Sequence, residues 1–223
     1  MAIQLKSTKG FAGSGVKLLV YGQAGAGKTS LIPTLPDPII LSAEGGLLSI
    51  SGSDIPYIEI NSASTFNEAL EFCKSAEASQ FQSVALDSIS EIAEVILSAE
   101  KAAAKDPRQA YGQMQDIMGY FIREFRDLSG KHVYFSAKME KSQDELGRTL
   151  FASSMPGNKL AQSLPYFFDE VLALRVERDA EGNPFRTLMT RPDGVYDAKD
   201  RSGRLDMWEE PDLGAIIKKI GGE

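Results

Sequence analysis

The sequence predicts an α/β fold: a mostly parallel sheet flanked by helices, with an antiparallel hairpin towards the C-terminus. Three observations carry that expectation. Short apolar runs alternate with segments of helical periodicity, the first run stops at a glycine-rich turn, and two later runs flank a polar turn. Strands covered on both faces need near-continuous apolar character, and the early runs have it.

Residues 16–21 (VKLLVY) form the first run, and 39–42, 57–60, 83–86 and 132–136 resemble it. Each reads as a buried strand. Between them, Thr65 and Glu68 have capping-box spacing, and Phe66, Ala69, Leu70 and Cys73 follow at helical intervals. A second stripe runs through Ile89, Ile92, Ala93, Ile96 and Leu97. A third, longer one runs from Met114 through Phe121 and Phe125 to Leu128. After His132 the period changes: residues 171–176 and 185–189 are strand-like around ERDAEGNP and predict the hairpin. The stretches 102–110 and 139–158 match no element. Loops of that length inside a compact domain are usually functional.

At 223 residues and 43% hydrophobic content, the chain is expected to form one domain over residues 1–223. It would carry a short basic arm (1–15) and a C-terminal extension (190–223). No apolar run approaches the length of a membrane span and the first residues lack a secretion signal, so a cytoplasmic protein with no membrane partner is expected. One cysteine, Cys73, fits a reducing compartment. The net charge of -7 argues against coating nucleic acid with the whole surface, but it leaves room for a local basic strip. The first thirty residues carry Lys6, Lys9, Lys17 and Lys28 and no acid, either a solvated basic arm or a phosphate-contacting one.

GQAGAGKT, residues 22–29, matches G-x-x-x-x-G-K-[ST] after a strand pattern and before a short helical pattern at Ser30, Leu31 and Ile32. Gly22, Gly25 and Gly27 permit a tight turn whose N–H groups, with those of Gln23, Ala24, Ala26 and Ser30, would cradle phosphates at a helix N-terminus. Lys28 would reach the β- and γ-phosphates, and Thr29 would ligate Mg²⁺. Asp87 ends the strand FQSVALD and supplies the second metal-shell carboxylate, a role compatible with capping the helix that begins at Ile89. Hydrolysis also needs a group to position or deprotonate water, and Ser88 stands where many ATPases place that glutamate. Glu44, at the end of the strand before AEGG, is the candidate base; a surface glutamate in a glycine-rich turn is the alternative. NKLA at 158–161 lacks the acid of a GTP-type base motif, so ATP is the expected nucleotide.

These residues resemble the RecA family. PIILSAEGGL is similar to the segment that ends in its water-activating glutamate, matching Glu44, and VALDS is similar to its Walker B, matching Asp87. VYFSAK resembles the next strand, where Lys138 stands at the γ-phosphate sensor position that carries glutamine in RecA. PGNKL, with Lys159, resembles the turn that closes the second DNA-binding loop. The likeness spans roughly residues 17–189 and leaves room only for a RecA-like P-loop NTPase core. GQAGAGKT, LSAEGG, PGNKL, YFFDEV and TRPDGVYDAKDRSG together resemble short phage nucleotide-binding proteins, including the fourth class of Sak-type single-strand annealing proteins.

The resemblance implies an ATPase that assembles as a ring or filament on single-stranded DNA and promotes recombination or annealing, with a single-strand DNA-binding protein as a further partner. The two unmatched stretches fall where RecA-like cores hold DNA. They carry Lys101, Lys105 and Arg108, then Lys141, Arg148 and Phe151, suited to phosphate pairing and stacking. Glu140, Asp144 and Glu145 leave ordinary polar loops open. Lys199 and Arg201 in YDAKDRSG are candidates for a basic finger offered to a neighbouring subunit's nucleotide, or for salt bridges to Asp197, Asp200 or Asp206. Two other functions fit the same P-loop: a phosphotransferase acting on a small acceptor, and a nucleotide-dependent clamp or loader with weak hydrolysis.

Overall fold

The computed structural model describes residues 15–222. The strands are β1 (Lys17–Gly22), β2 (Pro38–Ser42), β3 (Tyr57–Glu59), β4 (Ser83–Asp87), β5 (His132–Gln143), β6 (Thr149–Ser154), β7 (Glu170–Arg178), β8 (Pro184–Met189), β9 (Lys199–Asp200) and β10 (Trp208–Glu209). They form one sheet in the order β10-β8-β7-β1-β5-β4-β2-β3, with β6 added to β5 and β9 to β7. From β7 to β3 every neighbouring pair is parallel, while β8, β10, β6 and β9 pair antiparallel. The expected mostly parallel sheet with a C-terminal hairpin is the observed architecture.

Successive β1 side chains enter opposite cores, as strand alternation requires. Leu19 and Tyr21 face the larger core, covered by α1 (Ala63–Lys74), α2 (Ile89–Ala103) and α3 (Pro107–Arg126). Leu18 and Val20 face the smaller one, which Leu31, Ile32, Leu213 and Ile216 close. Two short helices complete the set, α4 (Asn158–Ser163) and α5 (Leu213–Gly221). Among the described residues, no helix is long and apolar enough to cross a membrane.

Several expectations need correction. The helix after the glycine-rich loop is a six-residue 3-10 turn, Thr29–Thr34, because Pro33 lies inside it and Pro36 follows. α1 is capped by Ser62, with Thr65 at the third helical position rather than at the cap. Ser88, not Asp87, caps α2. The stretch 102–110 is no long loop: α2 continues to Ala103 and α3 starts at Pro107 behind an Asp106 cap. Residues 139–158 are mostly strand, since β5 runs past its apolar part and β6 folds back on it about a turn at Asp144–Arg148. Backbone pairing supplies there what apolar patterning does not.

Most of the basic arm, with Lys6 and Lys9, lies outside the described residues. Lys17 is not a solvated cation. Its ammonium donates to the carbonyls of Leu128 and Lys131, and burial lowers its pKa to about 8. His132 accepts a hydrogen bond from the Val16 N–H through Nδ1, and burial lowers its pKa. Cys73 is buried and its thiol is pushed up to about 11, as an inert core residue should be. The segment after residue 190 joins the same sheet through β9 and β10.

α5 takes over the support that a long helix after the loop would have given. Its first residue donates its N–H to Thr34 Oγ1 at 2.9 Å, and a Cβ on Gly214 would lie 2.5 Å from the Thr34 carbonyl oxygen. Only glycine allows that approach. Gly214→Ala is expected to destabilise the fold by about 1–3 kcal/mol through overpacking, read as a lower urea midpoint at unchanged slope.

Candidate functional site

The C-terminal ends of β1, β4 and β2 lie along one edge with the middle of β5 between β1 and β4, Gly22 standing opposite Lys138 and Ser42 opposite Asp87. β1 is the topological switch point, because the chain leaves it for β2 on one side and later adds β7 on the other. Ligands of open α/β sheets bind at this position. β5 stands between β1 and the strand carrying Asp87, so the two halves of the site are separated by one strand width.

The glycine-rich loop leaves β1 with Gly25 at φ 76° and Gly27 at φ 101°, values that disfavour any side chain. Lys28 caps the 3-10 turn, and its ammonium donates to the carbonyls of Gly22 and Gln23 at 2.9 and 3.1 Å. Partial burial lowers its pKa against the pull of Asp87 and Glu44. A 3-10 turn carries little dipole, so the ammonium supplies most of the positive potential. Tyr134, buried on β5, donates its hydroxyl to the Lys28 carbonyl at 2.9 Å and pins the loop from below.

Asp87 is nearly buried and accepts from two hydroxyls. Thr29 Oγ1 lies 2.7 Å from Oδ2, and Ser136 donates to Oδ1. The hydroxyl and carboxylate expected to share a metal therefore do converge. Among the described residues no group of three or more His, Cys, Asp or Glu side chains could hold a metal ion. A cation here would take these two hard oxygens and complete its shell with water and phosphate oxygens, which is how Mg²⁺ binds. The residues fit that ion.

Glu44 follows β2 and is exposed, and Ser88 donates to its Oε1 at 2.5 Å. Lys138, at the end of the apolar part of β5, pairs with Glu91, which raises its pKa. Both sit close enough to Lys28 to act on its charge. Gly22, Lys28, Thr29, Asp87, Glu44 and Lys138 thus share one sheet edge, as the sequence reading requires.

The other candidates divide. Lys105 and Arg108 are exposed at the α2–α3 junction, Lys141 is exposed on the β5–β6 hairpin, and Lys159 is exposed on α4. Arg148, on the same hairpin, is engaged by Asp144 at 2.6 Å. Phe151 is only partly exposed: it stacks on Tyr196 at 4.7 Å, which covers one face of its ring, and its backbone pairs with Val195 and Asp197. Lys199 and Arg201 lie at the opposite edge, where β9 meets the start of β7. The Lys199 ammonium donates to the carbonyls of Pro165 and Phe168, both at 2.6 Å, while Arg201 pairs with Asp169 at 2.8 Å rather than with the aspartates expected. Neither belongs to this chain's own loop site.

Sequence reading missed Ser88 as the partner of Glu44, Ser136 as the partner of Asp87, and Tyr134, Glu91 and Arg186. Arg186 on β8 sets its guanidinium against Gly27. Only Ser88 carried a signal, its place directly after the metal-shell aspartate.

A family profile for the AAA domain matches residues 14–202. The chain belongs to that family. Among curated proteins, none matches the sequence. Membership makes the chain a P-loop NTPase core, and the matched span includes the glycine-rich loop at 22–29. Tyr134→Phe keeps the packing and removes the bond under the loop. It is expected to cost about 1 kcal/mol in chemical denaturation.

Proposed function

We propose that the chain binds Mg·ATP at residues 22–30, hydrolyses it with Glu44 as the water-activating base, and couples that cycle to single-stranded DNA in recombination or strand annealing. The observation that carries the ATPase reading is the convergence at one sheet edge of an ammonium on the glycine-rich loop, an oxygen pair suited to Mg²⁺, and a carboxylate held by a neighbouring hydroxyl.

Each residue has a definable task. Lys28 exchanges its loop carbonyls for the β- and γ-phosphate oxygens, a stronger charge-assisted contact. Thr29 and Asp87 would hold Mg²⁺, which spreads the charge of the phosphates. Ser136 keeps one Asp87 oxygen occupied and so orients the other. Ser88 fixes one oxygen of Glu44, leaving Oε2 to accept the proton of an attacking water. Lys138, tethered by Glu91, stands where a γ-phosphate sensor is needed, at the root of the hairpin that carries Lys141 and Arg148.

That continuity of β5 supports the DNA reading. A single strand links the sheet edge to the β5–β6 hairpin, where Lys141 is exposed, so a shift at Lys138 has a short path to Lys141. Lys105, Arg108 and Lys159 add exposed charge for phosphate contacts. The resemblance to RecA-like annealing proteins supports assembly as a homo-oligomer, in which Arg201, over half exposed in the single chain, is the better candidate for a contact across subunits.

Lys28→Ala is expected to abolish ATP binding in calorimetry, and Glu44→Gln to bind Mg·ATP normally while turnover falls by about 10² or more. Normal hydrolysis by Glu44→Gln would move the base elsewhere. In fluorescence polarisation, single-stranded DNA binding is expected to weaken with salt and with Lys141→Ala or Lys105→Ala, each removing about one counterion from the salt slope. No binding at low salt with or without ATP would end the DNA reading and leave the ATPase standing.

A further inference from the structure

Arg186 stands apart from the other arginines in the second half of the chain. Arg123, Arg126, Arg148, Arg175, Arg178, Arg191, Arg201 and Arg204 each donate to an acceptor within the chain. The Arg186 guanidinium, among the described residues, donates to none. It lies against the phosphate loop instead: a Cβ on Gly27 would fall 2.8 Å from both Cζ and Nε and 3.1 Å from one terminal nitrogen.

Strand geometry places it there. On the face of the sheet that carries the loop and its 3-10 turn, Leu172, Leu174 and Leu188 are core residues. Alternation puts Val176 and Arg186, which pair across β7 and β8, on the same face one step further out. The core ends at Leu174 and Leu188, and the next step reaches the loop. Gly22 holds the hairpin close, since a Cβ there would sit 2.9 Å from the Leu174 carbonyl oxygen.

We propose that Arg186 is a second phosphate-binding cation of the site, supplied by the β7–β8 hairpin of the same chain, and that it grips the diphosphate part of the nucleotide. This rests on the nucleotide reading above. A guanidinium with uncommitted donors beside a phosphate loop can bind two oxygens at once. Which oxygens follows from the sheet order. Asp87, Glu44 and Lys138 lie on the β5-β4-β2 side of β1, where the γ-phosphate must be for cleavage. Arg186 approaches from the β7-β8 side and meets the portion that remains after cleavage.

The test is a titration of the full chain with Mg·ATP and Mg·ADP, together with steady-state hydrolysis. Arg186→Ala should weaken both nucleotides alike, by about tenfold to a hundredfold, and raise KM for ATP in hydrolysis in the same direction. Arg186→Lys should recover part of the loss, and the melting temperature without nucleotide should move little, because the guanidinium donates to no acceptor among the described residues. Arg186→Gln serves if the alanine variant aggregates. Unchanged affinity for both nucleotides, in a chain whose Lys28→Ala variant binds neither, would overturn the Arg186 role alone. A loss confined to ATP would overturn the diphosphate assignment. Wild-type chain that binds neither nucleotide would overturn the nucleotide reading itself.

Discussion

The site depends on one carboxylate. Asp87 leaves the sheet at the end of β4, nearly buried, and its two oxygens are taken by Thr29 from the phosphate loop and Ser136 from the strand between. Without those bonds a carboxylate at that depth would be costly, and with them it ties three separate chain segments into one rigid edge. The loop can then be short and glycine-rich, because its far end is fixed by Thr29 and its underside by Tyr134. Glu44 is held one step further out through Ser88, the residue adjacent to Asp87.

The parts legible in the sequence were those whose chemistry needs fixed local spacing. A phosphate loop must place Lys28 and Thr29 a set distance after Gly22, and a buried strand ending in an acid announces Asp87 within a few residues. The supporting contacts were not legible, because strand register creates them: Ser136 is 49 positions from Asp87, and Tyr134 is 106 from Lys28. Arg186 is a similar case, since nothing near it in sequence marks it as a neighbour of Gly27. The expected helix after the loop failed for a reason that was visible. Pro33 and Pro36 shorten it, and an apolar triplet alone cannot outweigh them. The hairpin at 139–154 was hidden by its polarity, although Asp144 and Gly147 mark a turn.

Exposed or uncommitted positive charge is local in this molecule. Lys28 and Arg186 stand at the glycine-rich loop, and Lys141 is exposed on the β5–β6 hairpin. Other cations are committed within the chain: Lys17 and Lys199 donate to backbone carbonyls, and Arg201 pairs with Asp169. A net charge of -7 is therefore a poor guide to this face of the molecule. The planar groups near the hairpin are similarly committed. Phe151 stacks on Tyr196, and the Arg175 guanidinium lies between Tyr196 and Trp208 at 4.4 and 5.1 Å, a ladder that braces the root of β6 against β7.

The reliance of the 3-10 turn on α5 has a consequence for how the protein is made. The turn that follows the loop leaves the ribosome well before the helix that seats it, since Leu213 docks on Thr34 across 179 positions. Until Leu213 and Ile216 dock, Leu31 and Ile32 have an open side and the loop no fixed floor. A nascent chain that already carries the lysine, the threonine and both acids would still lack the support beneath its loop. That support arrives only with α5, so a chain cut short before Leu213 would carry every motif on an unseated turn.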